Sequence, residues 1–464
     1  MNSSPKSSPG AAPSDGAQDG SQAPASPVAA TLPPPPARTV PWRLFLAHTV
    51  SVVLIQSSMN AAQFMLPYLA KRHYQADEWL VLLFTAAPLV LPGLSVFWQP
   101  AVRRLSPAAF LILFWLITYL PWAGAWFVTS VWQLAAIHVV SAIGYSAWAP
   151  VNGEYLSRLY PASIRGRLFG FMSMAILVAA GLAGLFFGSR LQADPELFRT
   201  VLLAGSLLTL VGIGLLIALH RHMPPSPPRG QAGSQGLFAL VLEPLLHMRQ
   251  ILRADRVFFR YEAAYMTYGI GWMIVWVMLP LIGESKLKLD YVEYPKATSF
   301  PLQAVMAACV IPFGFINDRL GAARVSTLAF AVYTIFPIGL LLSRNALELG
   351  ASCALWGVCS AAVQMGWTLG PVGLAPSPDR VSQYMAIHAT LVGLRGALFQ
   401  TVGVALLKLT DSYAPPLILA SLGFAWAAWQ MWSLEPAFAE RLRGKASTQP
   451  EPSPGPAPGR TPPR

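Results

Sequence analysis

Charge is what this chain lacks most. Lys, Arg, Asp and Glu make up 11% of its 464 residues, where a soluble domain carries about 25%. So little polar surface cannot cover a water-soluble protein of this length, so most of its solvent must be lipid. Cysteine is scarce as well. Cys309, Cys353 and Cys359 all fall inside apolar runs, which excludes a disulfide framework and a cysteine metal site and leaves small core residues. No Ser-His-Asp, HExxH, CxxC or phosphate-loop pattern occurs at usable spacing. An enzyme therefore has no residues to stand on, no cofactor or metal is expected, and the chain alone is not an ATP-driven pump. The first forty residues have no apolar core, which excludes a cleavable signal peptide.

What the chain has in abundance is apolar length. Hydrophobic residues make up 54% of it and the mean hydropathy is +0.49. Twelve apolar segments approach the ~20 residues a spanning helix needs. They run over 44–68, 78–98, 107–128, 131–153, 166–188, 199–219, 257–282, 297–316, 323–343, 347–373, 382–407 and 414–433, and are called spans one to twelve below. Gly and Pro interrupt the ends of spans four and ten. The net charge of +12 does not point to nucleic acid, because the basic residues sit in short turns between spans. With the N-terminus inside, 22 Lys and Arg fall on the inner side and 9 on the outer, and Arg395 lies within the membrane. That bias predicts both termini in the cytoplasm of a plasma or inner membrane.

Two pairs of turns repeat at one offset. Pro161-x-x-x-Arg165-x-x-x-Phe169 matches Pro376-x-x-x-Arg380-x-x-x-Tyr384, and Arg104-Leu105 matches Arg319-Leu320; both offsets are 215 (380 − 165 and 319 − 104). An internal duplication follows, as in many membrane carriers. The expected fold is an all-α membrane protein, twelve transmembrane helices in two six-helix bundles related by pseudo-twofold symmetry. Its parts are a disordered Pro/Ser/Ala-rich tail (1–40), a first bundle (41–219), a linker (220–256), a second bundle (257–435) and a disordered C-terminal tail (436–464). The linker opens Pro- and Gly-rich, then places Leu237, Val241, Leu245, Met248 and Leu252 at helical spacing. These predict an amphipathic helix on the cytoplasmic face; the alternative is an extension of span seven.

Twelve spans, two halves, a basic central loop and charged turns after spans two and eight together resemble the major facilitator superfamily over about residues 40–440. The second copy of its turn motif is Gly314-Phe315-Ile316-Asn317-Asp318-Arg319-Leu320-Gly321; the first, Gln99-Pro100-Ala101-Val102-Arg103-Arg104-Leu105, has no acidic residue. The Arg165-Gly166-Arg167 turn is similar to the family's turn between spans four and five. The resemblance implies transport of a small solute by alternating access, with spans one, four, seven and ten lining most of a midplane site. It also implies a cytoplasmic gate, for which Arg103, Arg104, Glu154, Arg158, Arg165, Arg167, Asp318, Arg319 and Arg380 are the candidates.

Polar residues at membrane depth mark the candidate site. Gln56, Asn60 and Gln63 form a stripe on span one, suited to a polar solute or to interhelical hydrogen bonds. Tyr265, Tyr268 and Trp272 share a face of span seven, and Trp356, Gln364 and Trp367 mark span ten; such aromatics suit a flat or sugar-like solute, or ordinary packing. His138, Ser141 and Tyr145 share a face of span four. His388 and Arg395 are seven apart on span eleven, with Arg395 about 20 Å along it at 1.5 Å per residue. A buried guanidinium needs an anionic partner, carbonyls or a wet cavity. It predicts an anionic or strongly polar solute; the alternative is carbonyl bonding alone. A coupling proton is a further expectation, with His388 titrating and Glu154 and Glu262 as relay. The partners expected are thus a small-molecule solute, the bilayer and that proton, acting on a monomer. The rival class is a non-transporting receptor or assembly factor of the same fold.

Overall fold

Local rules set where each helix starts. Asp77, Ser106, Ser130, Asn345 and Asp255 each turn a side-chain oxygen onto an N–H of the turn that follows, which satisfies a donor that the helix itself cannot. The computed structural model describes residues 41–98, 105–160, 162–223, 248–376 and 381–448, and these are almost entirely helical. Among the described residues, ten helices are long and apolar enough to cross a membrane: Trp42–Arg72, Pro107–Phe127, Leu168–Ala193, Pro195–His220, Arg256–Lys286, Glu293–Asn317, Ala322–Leu342, Ala346–Leu374, Thr390–Thr410 and Ala414–Arg441. Two shorter apolar helices, Glu78–Leu94 and Val131–Tyr145, occupy spans two and four and complete the twelve. The duplication offset returns in the helix starts. Glu78 and Glu293, Pro107 and Ala322, and Val131 and Ala346 open equivalent helices 215 positions apart (293 − 78, 322 − 107, 346 − 131).

Three boundaries differ from expectation, each for a physical reason. The α-helix of span two stops at Val90 and tightens into a 3₁₀ turn over Leu91–Trp98, because Pro92 has no N–H to continue the ladder. Span four stops at Tyr145 and resumes at Trp148. There Ser146 donates back to Ile143 O (2.6 Å) and accepts from Trp98 Nε1 (2.8 Å), tying the two broken ends together. Span ten runs unbroken through Pro371. The twelfth helix continues to Thr448, well past the boundary at 435, because Phe438 is buried against Tyr261 and Arg441 has a partner in Asp255. Residues 248–254 are helical but end at Asp255, so that helix does not extend span seven. The rest of the expected amphipathic stretch, residues 1–40 and residues 449–464 lie outside the described residues.

The halves meet along two seams built from glycine. In membranes, small residues let backbones approach where bulky ones cannot. On span eleven, Gly393 and Gly396 face Val90 and Leu89 of span two. On span five, Gly181 lies under Phe300, Gly184 under Ser299, and Gly188 under the Tyr291 carbonyl of the second half. The seams close at the end of the bundle that carries Arg72 and Lys408. There Tyr68 stacks on Tyr294 (3.8 Å between ring centres, 5° between planes) and donates to Leu289 O. Arg72 donates to the same carbonyl (2.5 Å) and covers the Tyr291 ring. Gln192 accepts from the Tyr291 N–H (3.1 Å). Glu78 is shared by Lys71 of the first half and Lys408 of the second, each at 2.9 Å.

At the opposite end Asp255 holds three helices of the second half. It caps span seven at Phe258 N, takes both ends of the Arg441 guanidinium (2.6 and 2.7 Å) and accepts from Tyr384 (2.7 Å). Burial alone raises its carboxyl, but Arg441, the Phe258 N–H and Tyr384 outweigh that and hold it below the usual carboxylate range.

Two outcomes are expected. A β-carbon at Gly188 collides with the Tyr291 carbonyl, so Gly188→Val should lower the melting temperature in detergent through overpacking of about 1–3 kcal/mol; an unchanged transition would show that the seam is not tight. Because the folded Asp255 value is depressed, its contribution exists above the ordinary carboxylate pKa and disappears as pH falls through the lower folded value. The stability difference between wild type and Asp255→Asn should hold from about pH 8 to about pH 5 and close below about pH 4, as followed by thermal unfolding.

Candidate functional site

Span seven builds one wall of the site. Tyr261, Tyr265, Tyr268, Trp272 and Trp276 recur every three or four residues, which puts all five on one helical face. Trp272 and Trp276 stack on each other (5.2 Å, 10°), Trp356 of span ten stands edge-on to both (6.1 and 5.7 Å), and Phe64 of span one meets Trp276 at 4.9 Å. Below this layer the tyrosine hydroxyls fasten span seven to its neighbours. Tyr261 donates to Gly366 O (2.7 Å) and Tyr265 bonds Ser326 (3.0 Å).

The aromatic layer borders a cavity of about 360 Å³ between the halves. Seven of the twelve residues expected to bind solute converge on it: Asn60, Gln63, Tyr268, Trp272, Gln364, Trp367 and Arg395. The other five are elsewhere. Gln56 is half-buried on span one and Tyr145 half-buried on span four. His138 is buried and bonds Phe84 O of span two (2.9 Å), a structural role. Among the described residues span four contributes none of the lining; span eight, with Leu302, Gln303 and Met306, contributes instead. Tyr265 and His388 form a second layer: His388 lies edge-on between Tyr265 and Trp367 (5.3 and 5.0 Å).

Arg395 is the charged element of the wall. It is 5% exposed, and its guanidinium donates to the Tyr265 carbonyl (2.6 Å) and lies 5.6 Å from the centre of the Tyr268 ring. A carbonyl oxygen has two lone pairs, so Tyr265 can serve its helix and Arg395 together. Gly269 makes this possible, because a β-carbon there would collide with Cδ of Arg395. Among the described residues, no carboxylate lies within ion-pair distance of it. Glu262, the nearest acidic candidate by sequence, is committed to His388: both its oxygens lie 2.9–3.0 Å from Nδ1, with side chains 3% and 1% exposed. From sequence Glu262 is expected only as a relay for a proton on His388; here the two side chains meet directly.

Two further cavity residues escaped the sequence analysis. Trp276 is one turn beyond Trp272, and Gln303 is the one amide of the 297–316 segment; a lone amide in an apolar run was the available signal. The candidate gate is a different case. Arg103, Arg104 and Arg380 lie outside the described residues, as do the side chains of Glu154, Arg158, Arg165, Arg167 and Asp318; Arg319 is exposed at the end of span eight.

A family model, the Major Facilitator Superfamily, matches residues 49–400. A gallate transporter of Pseudomonas putida is 26% identical over 342 residues, which are 68% of this chain and 71% of that protein. A POT family transporter solved with a thioalcohol-conjugated peptide superposes with a TM-score of 0.67 at 12% identity, covering 86% of this chain and 96% of that one. The human organic anion transporter MFSD10 does so with a TM-score of 0.61 at 14% identity, over 84% and 99%. At such identities the two structures show the fold alone. The match across most of the chain, on helices that repeat at a 215-residue offset around a central cavity, makes this protein a member of the Major Facilitator Superfamily and a membrane transporter.

Proposed function

We propose that the protein is a secondary transporter that moves a small organic anion by alternating access between two six-helix halves, 41–219 and 257–435. One observation carries the anionic part: Arg395 borders the cavity with a carbonyl, not a carboxylate, as its hydrogen-bond partner. A guanidinium in low dielectric without a counter-ion attracts one strongly, and a carboxylate fits its fork. The similarity to a gallate transporter supports the same reading. With the termini placed in the cytoplasm by the charge bias, the Tyr68–Tyr294 and Arg72–Leu289 contacts close the outer end. Transport then requires them to part while the candidate charged turns at the inner end come together.

A coupling proton has its best seat at His388 and Glu262. The pair is buried, touches Trp367 of the wall through His388, and shares Tyr265 with Arg395. Protonation there changes the charge one layer behind the solute.

Uptake of radiolabelled benzoate and gallate into proteoliposomes tests the anion reading. Arg395→Ala and Arg395→Lys should each reduce uptake about a hundredfold, the scale expected when a buried charge loses its counterpart, with membrane insertion unchanged; normal uptake by either variant removes this role. An imposed pH gradient should accelerate wild-type uptake and leave Glu262→Gln unaffected. Equal rates with and without the gradient in wild type would exclude coupling.

A further inference from the structure

Most of span seven is enclosed by protein, yet its first turns reach the surface. Arg256, Phe259 and Arg260 are exposed there. Span twelve packs closely beside it: Phe424 lies against Gly271, Ile270 against Gly423, and Phe438 stacks on Tyr261. Where the two helices emerge together, Arg260 donates to the backbone carbonyl and the hydroxyl of Ser433 (3.1 and 3.3 Å). Trp429, one helical turn before Ser433, is on the same stripe, and Trp432 is its chain neighbour; the two indoles are 59% and 63% exposed. Guanidinium groups of one helix and indole rings of the next therefore share one outward-facing edge.

We propose that this edge binds an anionic phospholipid, with the phosphate on Arg256 and Arg260 and the glycerol and upper acyl chains against Trp429, Trp432 and Phe259. Charge is the first argument. Two other arginines at this end have carboxylate partners, Arg441 in Asp255 and Arg324 in Glu435. Arg256 and Arg260 have none within ion-pair distance among the described residues, and the exposed Glu440 of the twelfth helix pairs with neither. Both arginines stand in the first two turns of span seven, at the end of the helix dipole that disfavours a cation. Arg260 is held to Ser433 through Nη2, and a guanidinium has five N–H donors, so the contact that places it leaves donors over for a phosphate.

Depth is the second argument. Beyond Ser433 lie Glu435 and its exposed partner Arg324, a charged level. In the other direction span twelve presents Leu422 and Ile418, 61% and 51% exposed, an apolar level. Trp429 is one turn, about 6 Å, to the apolar side of Ser433. Indoles favour the boundary between headgroups and hydrocarbon, and the arginines stand just outside it. A soluble anion meets the arginines and leaves the rings without a partner, whereas a molecule with a negative head and apolar chains meets both. Lipid seated here touches spans seven and twelve at once, and so braces the helix that carries Tyr265, Tyr268 and Trp272. The proposal holds whatever solute the cavity takes.

Native mass spectrometry and thermal unfolding of the full-length protein in neutral detergent test it with phosphatidylglycerol, phosphatidylcholine of the same chains, and inorganic phosphate. Wild type should bind phosphatidylglycerol at least tenfold more tightly than phosphatidylcholine, and phosphate should leave the melting temperature unchanged. Replacing both arginines, Arg256→Gln with Arg260→Gln, should weaken phosphatidylglycerol about thirtyfold, about fivefold for each arginine, and leave phosphatidylcholine unchanged. Arg260→Gln alone, with its fivefold loss, serves if the double variant does not fold. Equal affinity for the two lipids in wild type, or an undiminished preference in the arginine variants, overturns the proposal and leaves these residues as topology signals. A melting shift with phosphate as large as that with phosphatidylglycerol assigns the edge to a soluble anion instead, and a dimer that excludes the lipid assigns it to a second copy of the chain.

Discussion

A guanidinium held at membrane depth is the constraint around which this molecule is arranged. A charge in hydrocarbon is expensive, and the fold meets the cost locally. Gly269 gives up its side chain so that Arg395 can lie against span seven, the Tyr265 carbonyl accepts from it, and the Tyr268 ring lies beside it. Tyr265 is held in turn by Ser326 and Tyr268 by stacking on Phe330. Spans seven, nine and eleven are thereby fixed as one rigid face, and the charge it supports is turned toward the space between the halves.

The second buried ionic group is kept apart from the first. Glu262 could have neutralised Arg395, and the result would have been a closed ion pair with no use for a ligand. It is taken by His388 instead, leaving the positive charge of Arg395 with only neutral hydrogen-bond partners among the described residues. One residue, Tyr265, touches both systems, by its ring on one side and its carbonyl on the other. The two buried ionic systems are therefore separated by a single side chain.

Much of this was legible in the residues. Apolar length gave the spans, and two turns gave a 215-residue repeat that three helix starts then reproduced. Polar residues at helical spacing marked seven cavity positions. The misses have physical causes. His138 was indistinguishable from a ligand-binding histidine because its carbonyl partner is on another helix, distant in sequence. Glu262 lies in the second turn of span seven, and position along a helix says nothing about the neighbours that bury it. Gln303 stood alone in its segment, with no periodic companion to draw attention to it.

The helices differ widely in what surrounds them. The most apolar stretch of span seven is 83% buried within the protein, while those of spans five and eight are 28% buried. Phe171, Val178, Leu182 and Phe186 of span five, with Ile311 and Phe315 of span eight, point outward. Span seven is therefore anchored by protein, and its partners on the seam by acyl chains. A thicker or thinner bilayer, which tilts helices to match their length, acts first on those two spans. Leu177 and Gln303 sit on their inner sides, so the lipid around this carrier is mechanically connected to the dimensions of the cavity between its halves.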